Sequence, residues 1–201
     1  MKRSRGVTVV RGAGAAIGVK AAHELSRLGG AVIAPGLTKA EFARIETQFG
    51  FEFADDHRAF LAVGLPIGPR WPDWRNGAPE ELRSSLDWPV RGLLFDVGHG
   101  SFWPADWGDR PVDTNDALAV ARDRLSRVPQ MVPVYAHRYL PAGRGTYGHP
   151  VLSTYQDDVI CFGEDLLDYV YQEFGRQTAP TSSDPNWQPR PTVEFWSELV
   201  R

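Results

Sequence analysis

The 201-residue chain contains one cysteine, Cys161, and no long apolar run. One cysteine cannot form an intramolecular disulfide, which excludes the small disulfide-stapled domains. No apolar run approaches the ~20 residues that a membrane-spanning helix needs. The N-terminal run Val7–Val10 ends at Arg11 and is shorter than the core of a secretory signal peptide, which is about 7–15 residues long. We therefore expect a cytoplasmic protein without membrane contact. A transit peptide stays an alternative, because the first acidic residue is Glu24.

Positive charge is scarce after the first 50 residues. Residues 1–50 carry eight Lys or Arg and three Asp or Glu, whereas residues 51–201 carry fourteen and twenty-two, so the net charges are +5 and −8. Binding to a phosphate backbone depends on clustered cations, so we expect no nucleic-acid partner. An acidic body favours a basic protein partner, although a solvated acidic surface explains the same composition.

Hydrophobic spacing predicts helices in the first third of the chain. Apolar residues recur at helical spacing over Ile17–Leu28, and Ala31–Ala34 suits a strand. Thr38–Gly50 begins with a capping-box pattern and ends with glycine, so it predicts a second helix. A third helix begins near Asp55 and is expected to end at Leu65-Pro66.

Proline and glycine interrupt residues 66–112, which therefore look irregular. Within them we predict a short helix over Ala78–Leu86 and a strand over Leu93–Phe95. A further helix should begin at Asp113 or Thr114 and run to about Val128, before Pro129.

Residues 132–174 give the clearest pattern in the chain. They predict strands and a following helix over Val132–Leu140, Val151–Tyr155, Val159–Phe162 and Glu164–Phe174. Strands this close in sequence pair as antiparallel hairpins, and the helix should lie on the sheet. Residues 176–191 are rich in proline and polar residues and predict a linker, and Thr192–Val200 predicts a last helix that docks on the body.

Five segments, taken in order, resemble a known family. They are GLTKAEFARIETQFGF, DHRAFLAVGLP, VPVYAHRYLP, GHPVLSTYQDDVICFG and EDLLDYVYQEF, within residues 36–174. Their order and spacing resemble the SUKH superfamily, which includes yeast Smi/Knr-type regulators of cell-wall synthesis and many bacterial proteins. The resemblance implies an α+β domain over residues 36–175, with a mainly antiparallel sheet and flanking helices. Residues 1–35 would be an N-terminal extension, 176–191 a linker, and 192–201 a docking helix.

The resemblance also implies a binding role. Bacterial members are often immunity proteins that neutralise toxins by direct binding, and the family has no shared catalytic set. It therefore implies no catalytic residue and no cofactor for this chain. A regulatory or scaffold role in cell-wall synthesis is the alternative within the same family. The oligomeric state cannot be predicted from these segments.

Five of the seven tryptophans lie between residues 66 and 112, interleaved with aspartates. Tryptophan anchors protein interfaces, and acidic rims attract basic partners. The candidate partner-binding residues are Trp71, Asp73, Trp74, Trp103, Asp106 and Trp107. Core packing is the alternative for each indole. Carboxylates beside aromatic rings also suggest sugar hydrolysis, which requires two carboxylates about 5–9.5 Å apart.

Two further patterns point to other chemistry. Gly12, Gly14 and Gly18 resemble the opening of short-chain dehydrogenases, so a nucleotide-binding enzyme is an alternative. That family also needs Tyr-x-x-x-Lys, which cannot occur downstream because the last lysine is Lys39. His137, His149 and Cys161 supply soft metal ligands, but surface histidines and a buried thiol explain them without a metal.

Overall fold

The structure is a computed structural model that describes residues 12–175 and 193–200. The helices in this part of the chain are α1 Ala13–Leu28, α2 Lys39–Phe49, α3 Asp55–Val63, α4 Pro79–His99, α5 Thr114–Leu125 and α6 Leu166–Phe174. The strands are β1 Val32–Pro35, β2 Gly64–Ile67, β3 Met131–Tyr135, β4 Arg138–Pro141, β5 Val151–Tyr155 and β6 Asp158–Gly163. Short 3₁₀ helices span Ala105–Trp107 and Trp196–Leu199. The strands form two antiparallel sheets, β1-β2 and β3-β4-β5-β6, which confirms the predicted α+β class.

Local capping signals place the start of α2 correctly. The Thr38 hydroxyl accepts a hydrogen bond from the Glu41 backbone N–H at 3.2 Å, and the Glu41 carboxylate accepts one from the Thr38 N–H at 2.7 Å. Gly50 then ends the helix in the left-handed conformation. The predicted end of α3 was wrong, because the chain leaves the helix at Gly64 to pair with β1.

The prediction of one strand over Val132–Leu140 was also wrong. The chain reverses at Ala136-His137, and the two halves pair with each other as β3 and β4. Ala136 has φ 48°, the left-handed conformation that tight hairpin turns require. Neither turn residue is glycine, asparagine or aspartate, so the sequence carries no turn signature at this point.

The predicted short helix and the strand at Leu93–Phe95 were wrong as well. One 21-residue helix, α4, covers both and contains Pro89. Proline has no N–H to donate to the carbonyl four residues earlier, which here belongs to Ser85. The Tyr139 hydroxyl donates to that carbonyl at 3.0 Å. A partner from the sheet thus satisfies the acceptor that proline leaves free, and the helix continues.

Helix α1 packs tightly against α3. A Cβ placed on Gly18 would overlap the α3 backbone at Asp56, and one on Gly14 would overlap the Tyr147 side chain. Leu25 of α1 is completely buried in the core that α3 and α6 share. The predicted boundary at residue 36 therefore does not separate an extension from a domain.

The four-stranded sheet has a packed core on each face. Strand residues alternate between the two cores. Val132 belongs to the first core, together with residues of α1, α2, α3 and α6. Met131 belongs to the second core, together with residues of α4 and α5. The C-terminal segment 193–200 joins the second core through Trp196, whose indole N–H donates to the Pro129 carbonyl at 2.8 Å. Val200 forms a parallel bridge with Val159 on the edge strand β6. Within this segment only Trp196–Leu199 is helical, and the predicted linker lies outside the described residues.

No helix among the described residues combines the length and the apolar character that crossing a bilayer requires.

Candidate functional site

The structure separates the six residues predicted to bind a partner into two groups. Trp71, Asp73 and Trp74 lie beside the first core, whereas Trp103, Asp106 and Trp107 lie beside the second. The indoles of Trp71, Trp74 and Trp107 are buried. Their burial gives them a packing role, and no exposed indole face supports the prediction that they bind a partner.

Two of the other three candidates form hydrogen bonds, and the third is exposed. Asp73 accepts hydrogen bonds from the backbone N–H groups of Arg75 and Asn76, so it stabilises a turn. The half-buried Trp103 donates its indole N–H to the Gly108 carbonyl at 2.8 Å. Asp106 is exposed in the 3₁₀ helix.

Three other aromatic side chains meet on the outside of the molecule. Trp88, Phe95 and Tyr155 are 42%, 53% and 59% exposed. Together with Arg91, Gly92 and Gln156 they line one hollow of about 190 Å³. We call these six residues the aromatic surface. Exposed tryptophan grouped with other aromatic side chains is unusual on a folded domain, which makes the aromatic surface the candidate site.

Helix α4 supplies most of this surface. Trp88, Gly92 and Phe95 follow the helical period on the outer face of α4, while Leu93 and Val97 on the inner face are completely buried in the second core. Tyr155 comes from the end of β5, directly before the β5-β6 turn.

The tip of the β5-β6 hairpin is fixed against α4. A Cβ on Gly92 would lie 3.0 Å from both N and Cα of Gln156, so the two backbones approach closely at this glycine. The Asp157 N–H donates to the carboxylate of the buried Asp96 at 2.9 Å. Because these two contacts tie the turn to α4, the aromatic rings sit on a rigid support.

Charges of both signs lie around the aromatic surface. Asp158 is exposed and lies opposite Tyr155 in the β5-β6 hairpin. Asp87 is also exposed, but it borders a different hollow. Arg91 lines the hollow of the aromatic surface, and its guanidinium donates to the Ser84 hydroxyl at 3.0 Å. Ser84 and Trp88 also line a second hollow, of about 300 Å³.

Comparison of the chain with family models, with curated proteins and with solved structures found no match. The likeness to the SUKH superfamily therefore remains a resemblance based on the five segments quoted above.

The aromatic surface was not predicted from the sequence, because the predicted helix ended before Pro89. If the helical period is continued through Pro89, then residues 88, 92, 95 and 99 share one face. His99 stacks on Phe95 with ring centroids 4.0 Å apart, which extends this face by another turn. The helical spacing of these residues predicts a common face, but the assignment of Leu93–Phe95 to a strand interrupted the predicted helix.

The structure gives the N-terminal glycines a packing explanation. Gly14 and Gly18 let α1 approach Tyr147 and α3, and β1 pairs with β2 in an antiparallel ribbon. A dinucleotide fold instead places such glycines between parallel strands. The strand predicted before these glycines, Val7–Val10, lies outside the described residues.

The structure also does not bring His137, His149 and Cys161 together as metal ligands. Among residues 12–175 and 193–200, no three His, Cys, Asp or Glu side chains form a group that could hold a metal ion. Burial lowers the pKa of both histidines and raises the pKa of the Cys161 thiol. A thiol with a raised pKa is a poor nucleophile at neutral pH.

Proposed function

We propose that this chain is a non-enzymatic protein-binding domain, and that it acts as an immunity protein that neutralises a toxin in the cytoplasm by direct binding. The observation that carries the proposal is the aromatic surface, where three large exposed rings surround one hollow on a rigid support. The partner would dock there and lose access to its own substrate.

The composition of the surface supports a protein partner. Tryptophan, tyrosine and arginine are the residues that most often dominate the binding energy of protein interfaces, and Trp88, Tyr155 and Arg91 lie side by side here. A pre-organised surface also loses little conformational freedom on binding, which increases affinity.

The choice of a toxin as partner rests on charge and on the resemblance. Residues 51–201 carry a net charge of −8, and the exposed Asp158 lies opposite Tyr155 in the β5-β6 hairpin. A basic toxin domain would be attracted to this face, and its association rate would fall as salt increases. The SUKH-like segments supply the expectation that such a domain serves immunity.

Affinity capture with matched variants tests the proposal. The tagged wild-type chain and the variants Trp88→Ala, Tyr155→Ala and Tyr147→Ala would be incubated with lysate of the source cells at low and high salt. Tyr147 is a matched control, because it is an exposed tyrosine (49%) in a different region, against α1. Circular dichroism would verify that each variant is folded.

We expect a stoichiometric toxin domain on the wild type and on Tyr147→Ala. Its binding should weaken by about 2–4 kcal/mol, or roughly 30- to 1,000-fold in Kd, with Trp88→Ala or Tyr155→Ala. The purified chain should also inhibit the captured toxin's activity. Equal capture by all four proteins would refute the role of the aromatic surface. Capture of cell-wall synthesis proteins through the same residues would replace the immunity role with the regulatory alternative.

A further inference from the structure

The hollow in the aromatic surface has the size of a site for one side chain. Its volume of about 190 Å³ lies below the range of about 300–1,000 Å³ that is typical of small-molecule pockets. The Trp88 and Tyr155 rings lie 6.4 Å apart between centroids and are inclined at 53°, so they form a wedge. Phe95 closes the hollow along α4.

The walls of the hollow favour positive charge. The face of an aromatic ring carries negative electrostatic potential and attracts an ammonium or guanidinium group within about 6 Å of the ring centroid. Three such rings line this hollow, and Gln156 adds an amide oxygen that can accept a hydrogen bond. The exposed Asp158, which lies opposite Tyr155 in the β5-β6 hairpin, adds negative charge nearby.

One positively charged side chain also lines the hollow. Of the described lining residues, Arg91 carries the charge, and its guanidinium donates a hydrogen bond to the Ser84 hydroxyl. Ser84 borders the second hollow. This hydrogen bond directs the Arg91 guanidinium towards the second hollow.

We infer that this hollow is an aromatic cage that receives one basic side chain, arginine or lysine, of the protein partner. The inference rests on the proposed function and specifies the chemistry of its central contact. A cation held between the rings would fix the position at which a basic partner binds this face of the chain.

Three probes with the same four-carbon chain test the cage without any partner. The wild-type protein would be titrated with n-butylguanidinium, n-butylammonium and n-butanol, and the Trp88 indole N–H signal followed by NMR. That signal is assigned by its loss in Trp88→Leu. We expect saturable binding in the millimolar range, with each cation bound about two- to fivefold more tightly than butanol.

Leucine variants separate cation binding from apolar contact. For Tyr155→Leu, again followed at the Trp88 indole, and for Trp88→Leu, followed at the Gly92 amide, the affinity of both cations should fall to that of butanol. Tyr147→Leu should bind all three probes as the wild type does. Butanol bound as tightly as the cations would overturn the inference and indicate an apolar occupant. Absence of saturable binding by any probe would overturn it too. Either result of the probe titrations would leave the proposed docking surface intact, because that proposal depends on weaker capture of the partner by Trp88→Ala and Tyr155→Ala. Equal capture by those two variants would instead refute the docking surface itself.

Discussion

The hydrogen bond from Tyr139 to the Ser85 carbonyl gives the sharpest test of how α4 passes through Pro89. Tyr139→Phe removes the hydroxyl and keeps the ring, so the carbonyl that proline leaves free loses its donor. Tyr139 is 2% exposed, but Tyr139 and Ser85 both line the hollow of about 300 Å³ beside Trp88, so water can replace the hydroxyl in part. We expect the variant to lower the free energy of unfolding.

The expected magnitude follows from the burial of both partners. A buried carbonyl left without a donor costs about 1–3 kcal/mol. Ser85 itself is half-buried, so some solvation of its carbonyl remains and the lower part of that range applies. We expect Tyr139→Phe to destabilise the protein by about 1–2 kcal/mol.

A double-mutant cycle with Pro89→Ala isolates this contact. Alanine restores an N–H at position 89, which can donate to the Ser85 carbonyl within the helix. The cost of Tyr139→Phe should therefore be smaller in the Pro89→Ala background, by about 1 kcal/mol. Urea unfolding followed by circular dichroism would measure all four proteins.

Tyr169→Phe is the matched control, because the buried Tyr169 hydroxyl has no hydrogen-bond partner among the described residues. Its removal should cost little or increase stability. Equal costs of Tyr139→Phe in both backgrounds, within about 0.3–0.5 kcal/mol, would refute the idea that Tyr139 substitutes for the missing N–H.

Three further predictions concern glycine packing and a buried histidine. Gly92→Ala should push the β5-β6 tip away from α4 and weaken partner binding in calorimetry, while Gly98→Ala, whose Cβ would meet nothing closer than 4.0 Å, should leave binding unchanged and raise stability by about 0.5–1 kcal/mol. Gly18→Ala should lower the thermal midpoint strongly, because its Cβ would overlap the α3 backbone; an unchanged midpoint would contradict the close packing of α1 on α3. Burial lowers the pKa of His57 to about 3. The unfolded chain therefore binds a proton near pH 6.5 that the folded protein does not bind, and this part of the stability is lost as pH falls from about 6.5 towards 3, by up to about 1.4 kcal/mol per pH unit. As pH falls below about 6.5, the free energy of unfolding of His57→Phe should therefore increase relative to that of the wild type by up to about 1.4 kcal/mol per pH unit, measured by urea titration at successive pH values. Parallel pH profiles of the two proteins would disprove the assignment.

The features that the sequence predicted correctly depend on local interactions. The Thr38–Glu41 capping box and Gly50 define α2 within thirteen residues, and the short turn that pairs β5 with β6 is equally local. The errors arose where a distant residue decides the local structure. Pro89 is compatible with a helix because Tyr139, fifty residues later, supplies a hydrogen bond.

The same error at Pro89 explains why the candidate site was not predicted. Tryptophans that pack the core and tryptophans that face solvent look alike in composition, and only the helical phase distinguishes them. Trp74 lies in an irregular segment without a phase, whereas Trp88 lies in α4 and faces outward. Once the predicted helix ended before Pro89, the phase was lost, and composition alone did not distinguish Trp88 from the other tryptophans.

The docked C-terminal segment has a practical consequence for handling this protein. Val200 pairs with Val159 on β6, an outer strand of the four-stranded sheet, and Trp196 holds the segment in place. An uncovered outer strand offers its unpaired backbone groups to other molecules and promotes aggregation. A chain shortened before Val193 is therefore expected to self-associate at high concentration. Affinity tags belong at the N-terminus, where they leave this cover undisturbed.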